Sequence, residues 1–428
     1  NQSMSKIAML TPPETGHLNP SLGVAHALKR RGHDVVFYQL ADRAARIERE
    51  GYKCRIYGQA EYPVGSIERE HAELGRRSGW NATRYTAKLG ERRLKLVCRE
   101  VLDLIREDKL DGIVADEVMA VGRTFGEILE LPVVTLSNAL PLKMSSEIPP
   151  PIVSWSHRTG VWGHLRNRFA NWAIQTSSLY ALRDVRRFQC LHGQPKLKSL
   201  NELASPLAHV TQIPQEFDFP RQDDRSQICD NYVFAGPFRD VGQREEIEFP
   251  FGWLDGRPLV YVSFGTLQNR LGRRFQEIAD LCGKLPVQAV LSLGGGIKPE
   301  QFSSLPSNVL VVQYAPQLEL LRRADLCITH AGMNTTLECL ALGVPMITIP
   351  VANDQPAVAA RVVHHRVGKR ITLRQLQSNH GMSTMKRAIE ALLEDVGYRD
   401  RIGQFAQKIR SAPGGEIAAD VVERTLAS

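Results

Sequence analysis

The 428-residue sequence has no apolar run near the roughly 18 residues that a membrane-spanning helix requires. No signal-peptide pattern precedes the first strand, so the chain is expected to be cytosolic; Asn1-Gln2-Ser3, ahead of Met4, are set aside as an appended remnant. Cysteine is sparse. Cys54, Cys98, Cys190, Cys229, Cys282, Cys327 and Cys339 stand singly without a CxxC pair, which argues against a zinc site or a disulfide framework. Cys327 and Cys339 lie in apolar runs and read as small core residues. No Asp-x-Asp occurs, so no carboxylate pair is assigned to hold a divalent ion against phosphates, and no metal site is expected. Recognition-helix, ribonucleoprotein and zinc-finger patterns are also missing, so the net charge of +8 does not point to nucleic acid.

What remains is an ordinary folded composition, 43% hydrophobic and 23% charged, in a chain long enough for two domains. The positive excess gathers at Arg76, Arg77, Arg84, Lys88, Arg92, Arg93, Lys95 and Arg99. Two readings stay open: a solvated helix face, or attraction of a peripheral protein to an anionic membrane.

Lys6 to Leu10 is a short apolar run ending at Thr11-Pro12-Pro13, the pattern of a buried parallel strand entering a loop. Leu18, Leu22, Ala25 and Leu28 follow at helical spacing, Gly32 suits a helix C-cap, and Asp34 to Tyr38 is a second strand. That is a βαβ unit. The alternation recurs at Gly112 to Ala115 and Pro132 to Leu136, then breaks between Ala139 and Cys190 into an irregular, partly helical insertion with Trp155, Trp162 and Trp172. A charged stretch after Phe234-Ala235-Gly236-Pro237 reads as a linker. A second series runs through Leu259 to Phe264, Gln288 to Leu293, Val309 to Gln313, Leu326 to Thr329 and Pro345 to Pro350. The expectation is α/β: two doubly wound, Rossmann-like domains facing across a cleft, with ligands at the carboxyl ends of the strands.

Two constellations carry chemistry. In the first half, His17 follows Gly16 in what the spacing predicts to be a loop, and Asp116 ends another strand. A carboxylate on one imidazole nitrogen fixes the tautomer and makes the other nitrogen more basic, as deprotonating an alcohol requires. On spacing alone, a lone loop histidine such as His17 is more often a surface or capping residue. In the second half, Tyr314-Ala315-Pro316-Gln317, Thr329 to Glu338, Gly343-Val344-Pro345 and Asn353-Asp354-Gln355-Pro356 follow in order. Gly332 would let backbone approach a phosphate, and Asn334 and Thr335 would open a helix whose free N–H groups attract anions. His330 would add a donor and a positive charge, and Gly265-Thr266 a second phosphate-contacting turn. Glu338 suits ribose hydroxyls, and Asp354 with Gln355 suits the vicinal hydroxyls of a hexose. Together they favour a nucleotide diphosphate sugar.

These residues resemble the family-one nucleotide-sugar glycosyltransferases of the GT-B fold. The likeness spans almost the whole chain and is most specific in the donor signature, Gln313 to Gln355, with Gly16-His17-Leu18-Asn19-Pro20 as an independent match. The resemblance implies that Tyr314 is the platform for the base and that Ala315 bonds to it. It sets Gln317 and Glu338 beside the ribose, and His330, Gly332, Asn334, Thr335 and Thr266 at the diphosphate. Asp354 and Gln355 grip the sugar, while His17 is the catalytic base with Asp116 as its orienting partner. Met333 stands where the plant signature has tryptophan, and Tyr314 leaves uridine versus thymidine open. Pro149 to Trp155 is reminiscent of the zeaxanthin glucosyltransferase branch.

The expectation is therefore an inverting enzyme, a monomer with no cofactor beyond the UDP-sugar cosubstrate. It would move a hexose onto a hydroxyl of a small hydrophobic acceptor such as a carotenoid or polyphenol. Residues 4–236 would bind the acceptor, a C-terminal helix at about 409–428 would pack back on that domain, and 237–408 would bind the donor. The acceptor pocket would be lined by Tyr62 to Arg93 and Ala139 to Cys190. A promiscuous flavonoid- or macrolide-type enzyme and a two-domain sugar-nucleotide epimerase are the alternatives.

Overall fold

A computed structural model describes residues 4–75, 77, 79–221, 231–239, 247–265, 272–295, 297–302, 304–410 and 412–428. Thr266, Arg76 and Cys229 lie outside the described residues. The first sheet comprises β1 (Lys6–Leu10), β2 (Asp34–Gln39), β3 (Lys53–Ile56), β4 (Gly112–Asp116), β5 (Val133–Ser137), β6 (Ala208–Thr211) and β7 (Tyr232–Phe234). Its order is β3-β2-β1-β4-β5-β6-β7, with every pair parallel. The second sheet comprises β8 (Leu259–Ser263), β9 (Gln288–Ser292), β10 (Val309–Val312), β11 (Leu326–Thr329), β12 (Met346–Thr348) and β13 (Gly368–Arg370), in the order β10-β9-β8-β11-β12-β13, again all parallel. Helices cover both faces of each sheet. This is why β1, β4, β5, β8 and β9 read as unbroken apolar runs instead of alternating ones.

Strand order reverses between β1 and β4 in one sheet and between β8 and β11 in the other. Loops leaving two neighbouring strands in opposite directions open a crevice at their carboxyl ends. Each sheet thus supplies one half of a binding site. The short strands β3, β6, β7 and β13 carry no such apolar run, and their sequences gave no strand signal.

The helix Gly414–Leu426 lies against the helix Thr15–Arg30, so the chain's end returns to the first sheet. Arg31 there meets Glu416, Asp420 and Glu423 at 2.6–2.8 Å. The basic run at 76–99 is neutralised in part: Arg77 pairs with Glu73, Lys95 with Glu91 and Asp184, Arg99 with Glu61 and Glu100, and Arg93 with Glu14 and Glu70, while Arg84, Lys88 and Arg92 are exposed.

The halves are joined by a buried ion pair. Arg361, in the helix Gln355–His364 and 1% exposed, donates from Nε (2.9 Å) and Nη2 (2.6 Å) to Asp218 Oδ1, in the β6–β7 connection. Arg221 meets the other carboxylate oxygen at 2.8 Å, and Phe219 lies under the Arg361 guanidinium with its ring centroid at 4.4 Å. Burial works against the Asp218 carboxylate, but the two guanidiniums outweigh it and hold its pKa down at about 2. Removing one partner leaves the other charge dehydrated. Arg361→Met should therefore cost about 3 kcal/mol, the lower part of the range for a broken buried pair because Arg221 still faces the carboxylate. Chemical unfolding of the variant checks this; a loss below about 1 kcal/mol would show that the clasp is not structural.

Candidate active site

The first sheet's crevice holds His17 and Asp116. His17 is not in a loop: it is the third residue of the helix Thr15–Arg30, which starts directly after Pro12-Pro13 because the Glu14 carbonyl accepts from the N–H groups of both His17 and Leu18 at 2.9 Å. The first helical turn aims the imidazole at the end of β4. There His17 Nδ1 lies 2.7 Å from Asp116 Oδ2. Asp116 is 2% exposed and accepts two further bonds, from Asn138 Nδ2 (2.6 Å) and the Val118 N–H (3.0 Å). With Nδ1–H committed to the carboxylate, Nε2 is the imidazole's free lone pair.

Burial opposes charge on His17, but the carboxylates of Asp116, Glu14 and Asp354 outweigh it and raise its pKa to about 9. Beside it, burial pushes Glu117 up to about 7, although the Leu142 N–H and the Ser137 hydroxyl bond to its carboxylate. Ser137 gives its only proton to Glu117, so His209 Nε2, 2.6 Å away, is the donor to Ser137. Sequence reasoning missed Asn138, Glu117 and Gln212. Their signal was positional: each directly follows the last residue of a strand of the first sheet, after β5, β4 and β6.

The second sheet's crevice holds His330, just past β11. A side-chain carbon on Gly332 would come within 2.6 Å of the His330 ring, and one on Gly265, at φ +71°, within 2.8 Å. Both glycines thus make room for an imidazole; the sequence reading assigned Gly332 to phosphate approach. Burial is the main influence on His330, the Ser263 carbonyl opposing it only weakly, and the pKa falls to about 4. The positive charge expected there is absent at neutral pH: His330 is a neutral donor. The helix Met333–Leu342 begins at once, with Gly332 as N-cap, and its first turn points free N–H groups and the positive dipole end into the cleft.

Asn334 and Thr335 lie in that turn. The Asn334 side chain bridges the halves, donating to the Gly16 carbonyl (3.0 Å) and accepting from Gln212 Nε2 (3.0 Å). Gln317 Nε2 donates to Glu338 Oε2 at 2.6 Å, which joins two signature positions 21 residues apart. Asp354 Oδ2 accepts from the Leu140 N–H of the first half at 3.1 Å, and burial raises its pKa. Gln355 Oε1 accepts from the N–H groups of Val351 and Ala352 (2.9 and 3.0 Å), so its amide N–H is what it can offer a ligand. Ala331 and Asn353 hold left-handed backbone (φ +67° and +56°) immediately before these turns.

A cavity of about 1360 Å³ runs between the halves, and His17, Asp116, His330, Gln317, Glu338 and Asp354 all line it. Leu74, Leu89, Leu94, Leu142 and Ile152 give it an apolar end. Tyr314 and Ala315 do not line it: Tyr314 is half exposed, its hydroxyl against Gly295, and Ala315 is buried. Among the described residues, no cluster of three histidine, cysteine or carboxylate side chains is placed to hold a metal.

Two switch-point crevices closing on one cavity are the architecture of the GT-B fold. Residues 254–413 match the family described as UDP-glucoronosyl and UDP-glucosyl transferase. The chain is similar to zeaxanthin glucosyltransferases of Pantoea ananas (27% identity, 99% of this chain and 96% of the relative) and Pseudescherichia vulneris (28%, 99% and 98%). In fold it matches the crystal structure of the kitacinnamycin glycosyltransferase at a TM-score of 0.76 and 22% identity, over 99% of this chain and 100% of the other. The chain has the GT-B fold of these structures and is similar over nearly its whole length to glycosyltransferases.

The two histidines should titrate far apart. NMR of the imidazoles should find His17 changing charge near pH 9 and His330 neutral down to about pH 4. In Asp116→Asn the main raising influence on His17 is gone while burial and the weaker pull of Glu14 and Asp354 remain, so its midpoint should fall clearly below that of the wild type. A midpoint still above 8 in that variant would mean that Asp116 does not control His17.

Proposed function

We propose that this enzyme transfers a hexose, with inversion, from a UDP-sugar to a hydroxyl of a small apolar acceptor. The observation that carries the reading is the His17–Asp116 pair facing Asp354 and the start of the helix Met333–Leu342 across one cavity. In this reading residues 4–236 bind the acceptor and 237–408 the donor. The acceptor hydroxyl lies at His17 Nε2, gives up its proton, and its oxygen attacks the anomeric carbon as the bond to the diphosphate breaks on the opposite face. An α-linked donor yields a β-glycoside through an oxocarbenium-like transition state. Asp116 keeps the imidazole in the right tautomer and compensates the charge it acquires.

On the donor side, the N–H groups around Asn334 and Thr335 and a neutral His330 meet the charge growing on the diphosphate, and no metal is needed. Gly332 and the Tyr314-Ala315 pair belong to the same proposed site through the signature, and Thr266 through the turn that follows β8. Gln317 and Glu338 face the ribose, and Asp354 and Gln355 the hexose. The zeaxanthin named for two relatives, with the apolar end of the cavity, supports a carotenoid-like acceptor over a flavonoid or a macrolide. The transferases among the relatives weigh against an epimerase.

His17→Ala should lower turnover by about 10² or more while leaving UDP affinity near normal. Activity should survive excess chelator, and the product's anomeric proton should show the large coupling of a β-glycoside. Retention of more than half the wild-type rate would remove His17 as the base; full loss in chelator, restored by Mg²⁺ or Mn²⁺, would remove the metal-free reading. Calorimetry separates the donor contacts. Glu338→Ala should weaken UDP itself, whereas Asp354→Ala should spare UDP and weaken UDP-glucose. Equal losses for both ligands in Asp354→Ala would move that carboxylate off the sugar.

A further inference from the structure

The helix Val161–Ala181 carries Val161, Trp162, Leu165, Phe169, Trp172 and Tyr180 on its outside, with Trp162 84%, Phe169 70% and Trp172 64% exposed. At about 100° per residue these six side chains fall on one arc about 100° wide, while the buried Gly163 and Asn167 lie on the opposite side. Phe169 and Trp172 pack against each other, ring centroids 5.9 Å apart, instead of against the core. On the same projection, Arg168 borders one edge of the arc and Arg166 the other. No Asp or Glu occurs from Ile148 to Arg183. Among the described residues Arg158, Arg166 and Arg168 have no carboxylate partner, whereas Arg77, Arg93, Lys95 and Arg99 of the run at 76–99 are paired.

We propose that this helix lies flat on an anionic lipid bilayer, the aromatic arc entering the headgroup boundary and the arginines meeting lipid phosphates. Exposed aromatics rimmed by cations that have no carboxylate partner are the composition of an interfacial helix. No helix among the described residues is long and apolar enough to cross a membrane, so the contact is peripheral. A second copy of the chain fits this face less well, because a self-complementary contact would set arginine against arginine. The segments flanking the helix also reach the cavity, whose lining includes Pro151 and Ile152 ahead of it and Ala181 and Leu182 at its end. Resting on the acceptor class proposed above, the contact would hold the cavity near the bilayer in which an oily acceptor dissolves.

The test uses the full chain with vesicles of phosphatidylcholine alone or mixed with phosphatidylglycerol. The protein should co-sediment with the anionic vesicles, less so at high salt. The triple variant Trp162→Ser/Phe169→Ser/Trp172→Ser should lose that affinity by about tenfold or more, and Arg168→Glu should lose part of it. UDP binding should stay unchanged in both, which shows that they are folded. The proposal is overturned by no association of the wild type with anionic vesicles, by equal association of the triple variant, or by a dimer in ultracentrifugation that the triple variant abolishes. Transfer to a water-soluble acceptor is measured alongside: its absence would defeat the proposed function and leave vesicle binding standing.

Discussion

The Asp218–Arg361 pair is the contact on which the rest of the cleft depends. Each sheet ends in polar groups that are useful only if the other sheet's edge stands opposite at a fixed distance. An apolar interface could hold the halves together but would tolerate sliding. Two Arg361 nitrogens converge on one Asp218 oxygen while Arg221 takes the other, and the dehydrated charges make other arrangements expensive. His365 adds to the same junction, its Nε2 lying 3.0 Å from the Phe217 carbonyl. Burial depresses its pKa to about 4, so it serves as a neutral donor there.

With the halves fixed, the cleft is bridged by the groups proposed to hold the donor. Asn334 is bonded to Gly16 and Gln212, and Asp354 to the Leu140 N–H. A bound sugar nucleotide must share or exchange these bonds, so part of its binding energy goes into replacing contacts that already exist. The segment from Asn138 to Leu142 is the shared element. Asp116 holds it through Asn138, Asp354 through Leu140 and Glu117 through Leu142. A change on the donor side can thus reach the His17–Asp116 pair through five residues.

Much of this was legible in the sequence, and the reasons differ by residue. The buried parallel strands announced themselves because a strand covered on both faces is a continuous apolar run. Edge strands such as Lys53–Ile56 and Gly368–Arg370 were not legible, since half-exposed strands this short carry no distinguishing pattern. Asp116 and His330 were visible as polar residues at strand ends. The helical setting of His17 was hidden by Pro12-Pro13 and Gly16, which read as loop although the Glu14 carbonyl opens the helix. Asn138 and Gln212 were hidden because a lone amide after a strand means nothing until topology places the strand beside a switch point. The clasp was hidden altogether: Asp218 and Arg361 are 143 residues apart, and each alone looks like a surface charge.

The two cavity histidines show how environment assigns chemistry to identical side chains. His17, ringed by Asp116, Glu14 and Asp354, is held near 9, while His330, with burial as its main influence, is held near 4. At pH 7 the first is almost wholly an imidazolium and the second wholly neutral. The neutral base form of His17 is then about one in a hundred, which looks like a penalty for a proton acceptor. The same carboxylates also make that minority a stronger base, so its scarcity is partly offset by its strength. His330 has the opposite problem, being too weakly basic to carry charge into the cleft. On the function proposed above, a diphosphate would supply the anion that His330 lacks, and any proton His330 gained would arrive with that ligand. The charge on the two imidazoles is therefore set by carboxylates at His17 and by burial at His330. On the same proposal, this division keeps a base beside His330's ligand without the two histidines competing for one charge state.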